Sequence, residues 1–496
     1  MKDSNQIHEG PQSGKYLKNV PWYILGSIST KAIAFFLLPV FTKYLTPEDF
    51  GVLANLESFG RLIPVVLSLY LDSAFGRYYF QERESILRVR RLYSTHFWFI
   101  LIWGGCASLV LLAATHNVLN SLLGVTVLPI IIIIFTSLFS QLALMVMAMW
   151  RANLMSKNIS ILQISTSLLS VGITLYLLVY ENYGWQARIY GIAGMTSMQF
   201  ALLLIYVVKK RMIDFTFDIA MLKRSLLFSI PLIPNLAAGW IAGFSDRIVL
   251  TYYGYLADTG LYSIAFQFAF ILYILNDSIT QVQGPIAFSG LTYDSEVAKK
   301  QTSIFLTIFL WIIFFFYLAI TLFSKYLLEE FTSQEFHTAY VLVPILSIIY
   351  ILSGVYRIFT NIILFHGRTW IISFGAIIQA ILNILLNILF IPKFGMYAAA
   401  WSSVLSMAFY TIWIFLWAQS IDRIKIESKT ISTIILLVIC IMLLNQIIIN
   451  SDIRQIFMLL GSAALLILYV LAVGFVKPLK PIKIKALGLI KSHMKL

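Results

Sequence analysis

The chain has 496 residues, 60% of them hydrophobic and only 12% charged, with a formal net charge of +14. Soluble domains carry about 25% charged residues and single cores stop growing near roughly 250–300 residues. A water-soluble globule is therefore excluded, and lipid is the natural solvent for this surface.

In chain order, residues 1–19 form a polar tail with no short apolar segment followed by a cleavage site. No removable signal peptide is expected, and the first span serves as the insertion signal. Apolar stretches close to the length that crosses a hydrocarbon core of about 30 Å then recur. They place spans at 20–41, 52–74, 94–114, 126–148, 161–180, 187–207, 226–250, 260–282, 303–323, 339–360, 371–391, 397–417, 429–449 and 455–475. The expected fold is an all-α polytopic membrane protein of about fourteen transmembrane helices, with no inserted soluble domain. Its segments are the tail 1–19, six spans over 20–225, six over 226–420, two more over 421–476, and a basic tail at 477–496. Cys106 and Cys440 both lie inside apolar runs and build no disulfide framework or metal site.

Basic residues in cytoplasmic loops set orientation. With the N-terminus inside, the inner segments and tails hold 27 of the 36 Lys and Arg residues, and the outer loops hold only Lys43, Lys325, Lys393 and Arg454. The surplus charge thus reads as a topology signal, with both termini in the cytoplasm and anionic inner-leaflet lipid as a secondary partner. Nucleic acid is not an expected partner.

Two stretches break the apolar pattern in the same manner. "KYLTPEDFGVL" at 43–53 joins spans 1 and 2, and "YGYLADTGLYS" at 253–263 joins spans 7 and 8. In the first, Pro47 ends a helix and Asp49 caps the next before Gly51; in the second, Asp258 precedes Gly260 likewise. "DFGVL" and "DTGLY" are 209 residues apart. "YGWQA" at 183–187 and "FGMYA" at 394–398 place Gly184 and Gly395 211 apart. Two landmarks with nearly one offset argue that spans 1–6 and 7–12 are duplicated copies, related by an axis along the membrane normal, as in some transporters.

Five basic residues fall inside spans: Lys31, Arg61, Arg188, Arg247 and Arg357. A charge at the bilayer centre costs about 2.5–3.5 kcal/mol on insertion scales. Arg188 reads as interfacial, and Arg247 and Arg357 sit near helix ends where they can snorkel. Glu57 and Arg61, four residues apart, can pair along one helix. Lys31 is deep, with no acid at helical spacing in its span, and points to a wet interior. If these cations share a cavity, it suits an anionic cargo, above all phosphate. Glu57, Asp72, Asp246 and Asp277 are the acidic groups in spans, candidates to take up H⁺ or Na⁺. Pro39, Pro64, Pro231, Pro234 and Pro344 lie in or at spans, where kinks can act as hinges. No G-x-x-x-x-G-K-[ST] loop, metal-ligand spacing or serine nucleophile motif occurs, so no cofactor and no catalytic role are expected.

The stretch "FFLLPVFTKYLTPEDFGVLANLESF" resembles the opening of Wzx-type bacterial polysaccharide flippases. "SLLFSIPLIPNLAAGWIAGFSDRIVLTYYGYLADTGLYSIAFQF" resembles their seventh and eighth spans, with Pro231, Trp240, Asp246, Arg247, Gly260 and Tyr262. "HGRTWIISFGAIIQAILNILLNILFIPKFGMYAAAWSSVLS" resembles the eleventh and twelfth, with Asn383, Asn387, Pro392 and Gly395. The resemblance spans roughly residues 18–420. It places the chain near the multidrug/oligosaccharidyl-lipid/polysaccharide exporter superfamily. What it implies is two six-helix lobes around a central cavity, two extra C-terminal helices, and a polyprenyl-pyrophosphate-linked oligosaccharide as cargo. The cargo would cross from the inner to the outer leaflet of the bacterial cytoplasmic membrane, alongside glycan polymerase machinery. By position, Lys31 and Arg61 correspond to basic residues implicated in such relatives, although lysine lacks the paired fork that arginine would offer. Two rival readings are an ion-coupled small-molecule exporter, which would want an acidic or aromatic cavity, and a membrane enzyme of glycan assembly. For an enzyme the longest outer loop, 324–338 with Glu329, Glu330 and Glu335, offers little room for a catalytic domain.

Overall fold

The computed structural model describes residues 22, 37–114, 125–293, 295–450 and 455–474. Lys31 and most of the expected first span lie outside the described residues. Within them the chain is helical, with no strand. The helices are α1 (Leu38–Tyr44), α2 (Pro47–Ser68), α3 (Leu71–Glu82), α4 (Ile86–Ala114), α5 (Val127–Ala152), α6 (Ser156–Val179), α7 (Gln186–Lys209) and α8 (Ile219–Ser229). They continue as α9 (Ile233–Tyr252), α10 (Leu256–Tyr293), α11 (Ser295–Phe331), α12 (Leu342–Phe365), α13 (Thr369–Ile421), α14 (Ser428–Asn450) and α15 (Gln455–Gly474). Eleven segments among the described residues are long and apolar enough to cross a membrane, and Leu459–Ala472 is a shorter apolar helix. With α13 counted as two crossings, as its geometry requires, these segments meet the second to fourteenth expected spans.

The chain divides into two compact units. One comprises Met1–Trp240 with Arg247–Gly260, the other Ile241–Asp246 with Leu261–Leu496. In the first unit, α2 begins earlier than the sequence suggests. Thr46, not Asp49, is the N-cap: its side chain accepts the Asp49 N–H, and the Asp49 carboxylate accepts the Thr46 N–H at 3.0 Å. This is a reciprocal capping box, with Pro47 at the first helical position, where its missing N–H costs no hydrogen bond. The other prolines behave similarly. Pro39, Pro231, Pro234 and Pro344 lie in first turns or in a 3₁₀ turn, whereas Pro64 is inside α2 and Pro392 inside α13. Pro64 is therefore the one of the five expected hinge prolines that interrupts a helix. Just beyond it, Leu69 and Tyr70 take left-handed backbone angles (φ 49° and 60°) and separate α2 from α3. Non-glycine residues seldom adopt that region, so surrounding packing must hold the bend.

The two copies of the first repeat landmark meet. A Cβ on Gly51 would overlap the Leu256 carbonyl oxygen, and one on Gly260 would overlap that of Pro47. Leu256 is Pro47 displaced by 209 residues, and Gly260 is Gly51 displaced by the same amount. Residue i touches the copy of j, and j the copy of i, as a pseudo-twofold requires. Hydrocarbon gives helices no hydrophobic drive to associate, so close backbone approach through small residues supplies the attraction. Asn55 extends the contact by donating to Thr251 at 2.7 Å, and Trp240 donates to the Ser58 carbonyl at 2.7 Å.

In the second unit, α13 is a hairpin of two helices. Gly395 has φ 53° and ψ −133°, outside helical geometry, a conformation glycine reaches without a Cβ clash. Across the bend Trp370 faces Trp417 at 5.4 Å, Trp413 donates to the Ile371 carbonyl at 3.0 Å, and Asn383 donates to Ser403 at 3.2 Å. These pairs are centred near residue 393, so the arms run antiparallel. The expected outer loop at 324–338 is not a loop: α11 runs to Phe331, and a 3₁₀ segment covers Gln334–Val341. The residues read as loop there pack, with Leu328 and Phe336 fully buried.

Gly51→Leu and Gly260→Leu are each expected to lower the melting temperature of the detergent-solubilised protein, an overpacking cost of about 1–3 kcal/mol. Gly76→Ala, where a new Cβ meets nothing within 4 Å, should be neutral or stabilising. Equal melting temperatures for all three variants would refute the close-approach reading.

Candidate functional site

In the second unit, Asp246 of α9 is 1% exposed and accepts three hydrogen bonds, all at 2.6 Å. The donors are the Tyr262 hydroxyl from α10, the Asn387 amide from the first arm of α13, and the Ser403 hydroxyl from its second arm. Asn383, one helical turn before Asn387, extends the cluster: its carbonyl oxygen accepts from Ser245 at 3.0 Å and from Asn387 at 3.2 Å. The Asn387 carbonyl oxygen is buried and has no hydrogen-bond partner. None of the salt bridges among the described residues involves Asp246. The arrangement is a carboxylate held by neutral donors, beside an orphaned amide oxygen. A buried carboxylate is costly unless it is paired, protonated or bound to a cation, and oxygen donors suit a hard cation. Among the described residues there is no cluster of three His, Cys, Asp or Glu for a transition-metal site.

A second polar seam joins α10 and α12. Arg357 donates to Asp277 at 2.7 Å, and its guanidinium carbon lies 5.4 Å from the centre of the Tyr273 ring. On one side Asn276 donates to Ser353 at 2.7 Å and to the Tyr350 carbonyl at 3.0 Å; on the other, Asn361 donates to Gln283. Arg357 and Asp277, read from sequence as a cavity cation and a separate coupling acid, are thus a single ion pair. Helical spacing on each strand of this seam was readable, but the pairing of the two helices was not.

The other candidates lie in the first unit. Glu57 and Arg61 are both exposed on α2, on one stripe, while Leu56, Phe59, Ile63 and Leu67 turn inward. Asp72 is half-buried in the first turn of α3, where the helix dipole favours a carboxylate. Arg247 is buried, and Arg188 lies at the start of α7 with its guanidinium 5.9 Å from the Phe41 ring. Tyr262 and Asn387, named in the sequence only among the positions that carry the family resemblance, prove to be donors to Asp246. Ser403 was missed, because nothing local marks a serine in an apolar helix.

The fold defines a class, that of multi-helix membrane proteins whose solved examples include a flippase and multidrug transporters. The chain superposes on the inward closed conformation of the lipid II flippase MurJ with a TM-score of 0.67 at 15% identity, covering 90% of this chain and 98% of that one. It also superposes on an inward-facing multidrug resistance MATE transporter with a TM-score of 0.60 at 13% identity, covering 80% and 97%. Within that class, residues 16–290 match the model of the polysaccharide biosynthesis protein family, and the chain belongs to that family. In Haemophilus influenzae the "Lsg locus putative protein 1" is 22% identical over 389 residues, spanning 75% of this chain and 90% of the relative.

A double-mutant cycle on Asp277→Asn and Arg357→Gln should return a favourable coupling energy of about 0.5–3 kcal/mol, the range for residues joined in one salt-bridge network. The swapped pair Asp277→Arg with Arg357→Asp should regain part of the lost stability. Strict additivity in thermal unfolding would dismiss the pair.

Proposed function

We propose that this protein is a flippase moving polyprenyl-pyrophosphate-linked oligosaccharide repeat units from the inner to the outer leaflet of the bacterial cytoplasmic membrane. The product would feed surface polysaccharide: O-antigen, capsule or exopolysaccharide, with a glycan polymerase downstream. The observation that carries this reading is membership of the polysaccharide biosynthesis family in a chain with a transporter fold. Both termini would lie in the cytoplasm, consistent with the distribution of Lys and Arg.

In this mechanism the saccharide and pyrophosphate pass through a polar interior while the prenyl tail stays in lipid. The arrangement avoids carrying a bare headgroup through hydrocarbon, where burial of each polar group is unfavourable by several kcal/mol. Lys31, Arg61 and Arg247 offset the pyrophosphate charge. Arg357 contributes only when its pair with Asp277 opens. Alternation follows from different cargo affinity in the inward and outward states.

Among the acidic candidates, Asp246 is the best supported for coupling to H⁺ or Na⁺. It is buried, held by neutral groups from three helices, and adjoins the unsatisfied Asn387 oxygen. An ion arriving there replaces or loosens the 2.6 Å hydrogen bonds from Tyr262, Asn387 and Ser403, and so repacks α9 and α10 against both arms of α13. Asp277 is already ion-paired, and Glu57 and Asp72 are the more accessible alternatives.

The purified protein, reconstituted in vesicles with labelled polyprenyl-pyrophosphate glycans, should translocate them between leaflets. Arg61→Ala should reduce the rate at least about tenfold, the scale of one lost charge-assisted contact, with folding intact by melting temperature; full activity would reject its role. Asp246→Asn should abolish acceleration by an imposed H⁺ or Na⁺ gradient while leaving the protein folded. Persistent gradient dependence would move coupling to Glu57, Asp72 or Asp277.

A further inference from the structure

Between its sixth and seventh expected spans, the chain builds a folded platform on the first unit, at the end that the basic-residue bias assigns to the cytoplasm. The segment 210–218 is fastened to α4. The Asp214 N–H donates to Ser94 at 2.8 Å, the Asp218 N–H to Thr95 at 3.0 Å, and the Trp98 indole to the Asp214 carbonyl at 2.9 Å. Next, α8 turns Leu222, Ser225 and Ser229 inward, with Ser225 held by the buried His96 at 2.8 Å. The Arg224 guanidinium bonds Glu82 of α3 at 2.9 Å and stacks 4.2 Å over Tyr78.

The outward face of this fixed helix is amphiphilic. It carries Ile219 and Leu227 beside Lys223 and Arg224, with Leu227 68% exposed, and Ile230 follows in the next 3₁₀ turn. Alongside, a groove of about 510 Å³ runs between α3 and α8, lined by Arg77, Tyr78, Lys223, Arg224, Leu227 and Phe228. Its cations outnumber its acids. Glu82 is buried between Arg224 and Arg88, and Asp218 is engaged by the Met221 N–H and Arg91. Arg77 and Lys223 belong to none of the salt bridges among the described residues. The Arg77 guanidinium lies 4.4 Å from the Phe228 ring centre, a stacking that fixes its plane and leaves its edge donors to meet a phosphate.

We propose that the α3/α8 groove binds the phosphate headgroup of an anionic phospholipid from the inner leaflet. Arg77 and Lys223 contact the phosphate, and Leu227 and Ile219 enter the acyl boundary. Charge complementarity and the mixed apolar–basic face select this occupant: an interfacial helix binds through both, and each basic residue near an anionic surface contributes separately. The bound lipid would brace the connection between the two repeats, because α8 leads through the short 3₁₀ turn Ile230–Leu232 into α9, which carries Asp246. The inference does not depend on the cargo, so failure of the translocation assay would leave it standing.

The test uses the full-length protein in detergent with added phosphatidylglycerol or phosphatidylcholine, bound lipid being counted by native mass spectrometry. Phosphatidylglycerol should bind more tightly than phosphatidylcholine. Arg77→Gln with Lys223→Gln should weaken it about 25-fold, roughly fivefold per cation. Lys209→Gln with Lys210→Gln, an equal charge change outside the groove, should leave it within about twofold. Lys223→Gln alone, at about fivefold, and retention by Arg77→Lys with Lys223→Arg serve if the first double variant unfolds. Equal losses in both double variants, indifference to headgroup charge, or binding of farnesyl pyrophosphate in preference to phosphatidylglycerol would each overturn the assignment. The last would make the groove a cargo-docking site.

Discussion

A polar group inside hydrocarbon has no water to turn to, and that constraint governs this structure. Each buried donor, acceptor or charge must find its partner on another helix. Asp246 does so by drawing in Tyr262, Asn387 and Ser403, and those bonds tie α9 and α10 to both arms of α13. Arg357 does so with Asp277, tying α10 to α12. Polar residues here act as fasteners between helices whose apolar surfaces would pack almost as well against lipid.

The same constraint separates structural from functional polarity. A cluster whose members satisfy one another holds helices together. A cluster that leaves a carboxylate among neutral donors, beside an amide oxygen with no partner, has room in its chemistry for one more participant. Both clusters leave a buried amide oxygen without a partner, that of Asn276 in the α10/α12 seam and that of Asn387 beside Asp246; what differs is the charge, since Asp277 is paired by Arg357 whereas Asp246 is met by neutral donors. At the membrane boundary the rule relaxes, because headgroups and water can complete the bonding. There the α3/α8 platform carries its cations openly, stacked on aromatic rings or paired with Glu82.

Much of the architecture was legible because membrane crossing imposes length and composition on every span. The duplication was legible for a different reason. Gly51 and Gly260 must admit a neighbouring backbone, so both copies retain a glycine at the same offset, and the structure places each against the other copy's helix start. The start of α2 was misread by three residues because Asp49 and Thr46 are both competent caps, and only the reciprocal hydrogen bonds decide between them. The loop assigned to 324–338 followed its charges, Glu329, Glu330 and Glu335, but charged residues ride on a helix end as readily as in a loop.

The sequence by itself determined the solvent, the approximate position of the spans, the internal repeat and the identity of the embedded charges, because each is set by local composition or by spacing along the chain. Only the tertiary structure decided which charges pair, that Asp246 gathers groups 16, 141 and 157 residues away, and that α8 lies on α3 to form a groove. Those outcomes depend on which helix faces meet, and one helix's periodicity carries no record of its neighbour.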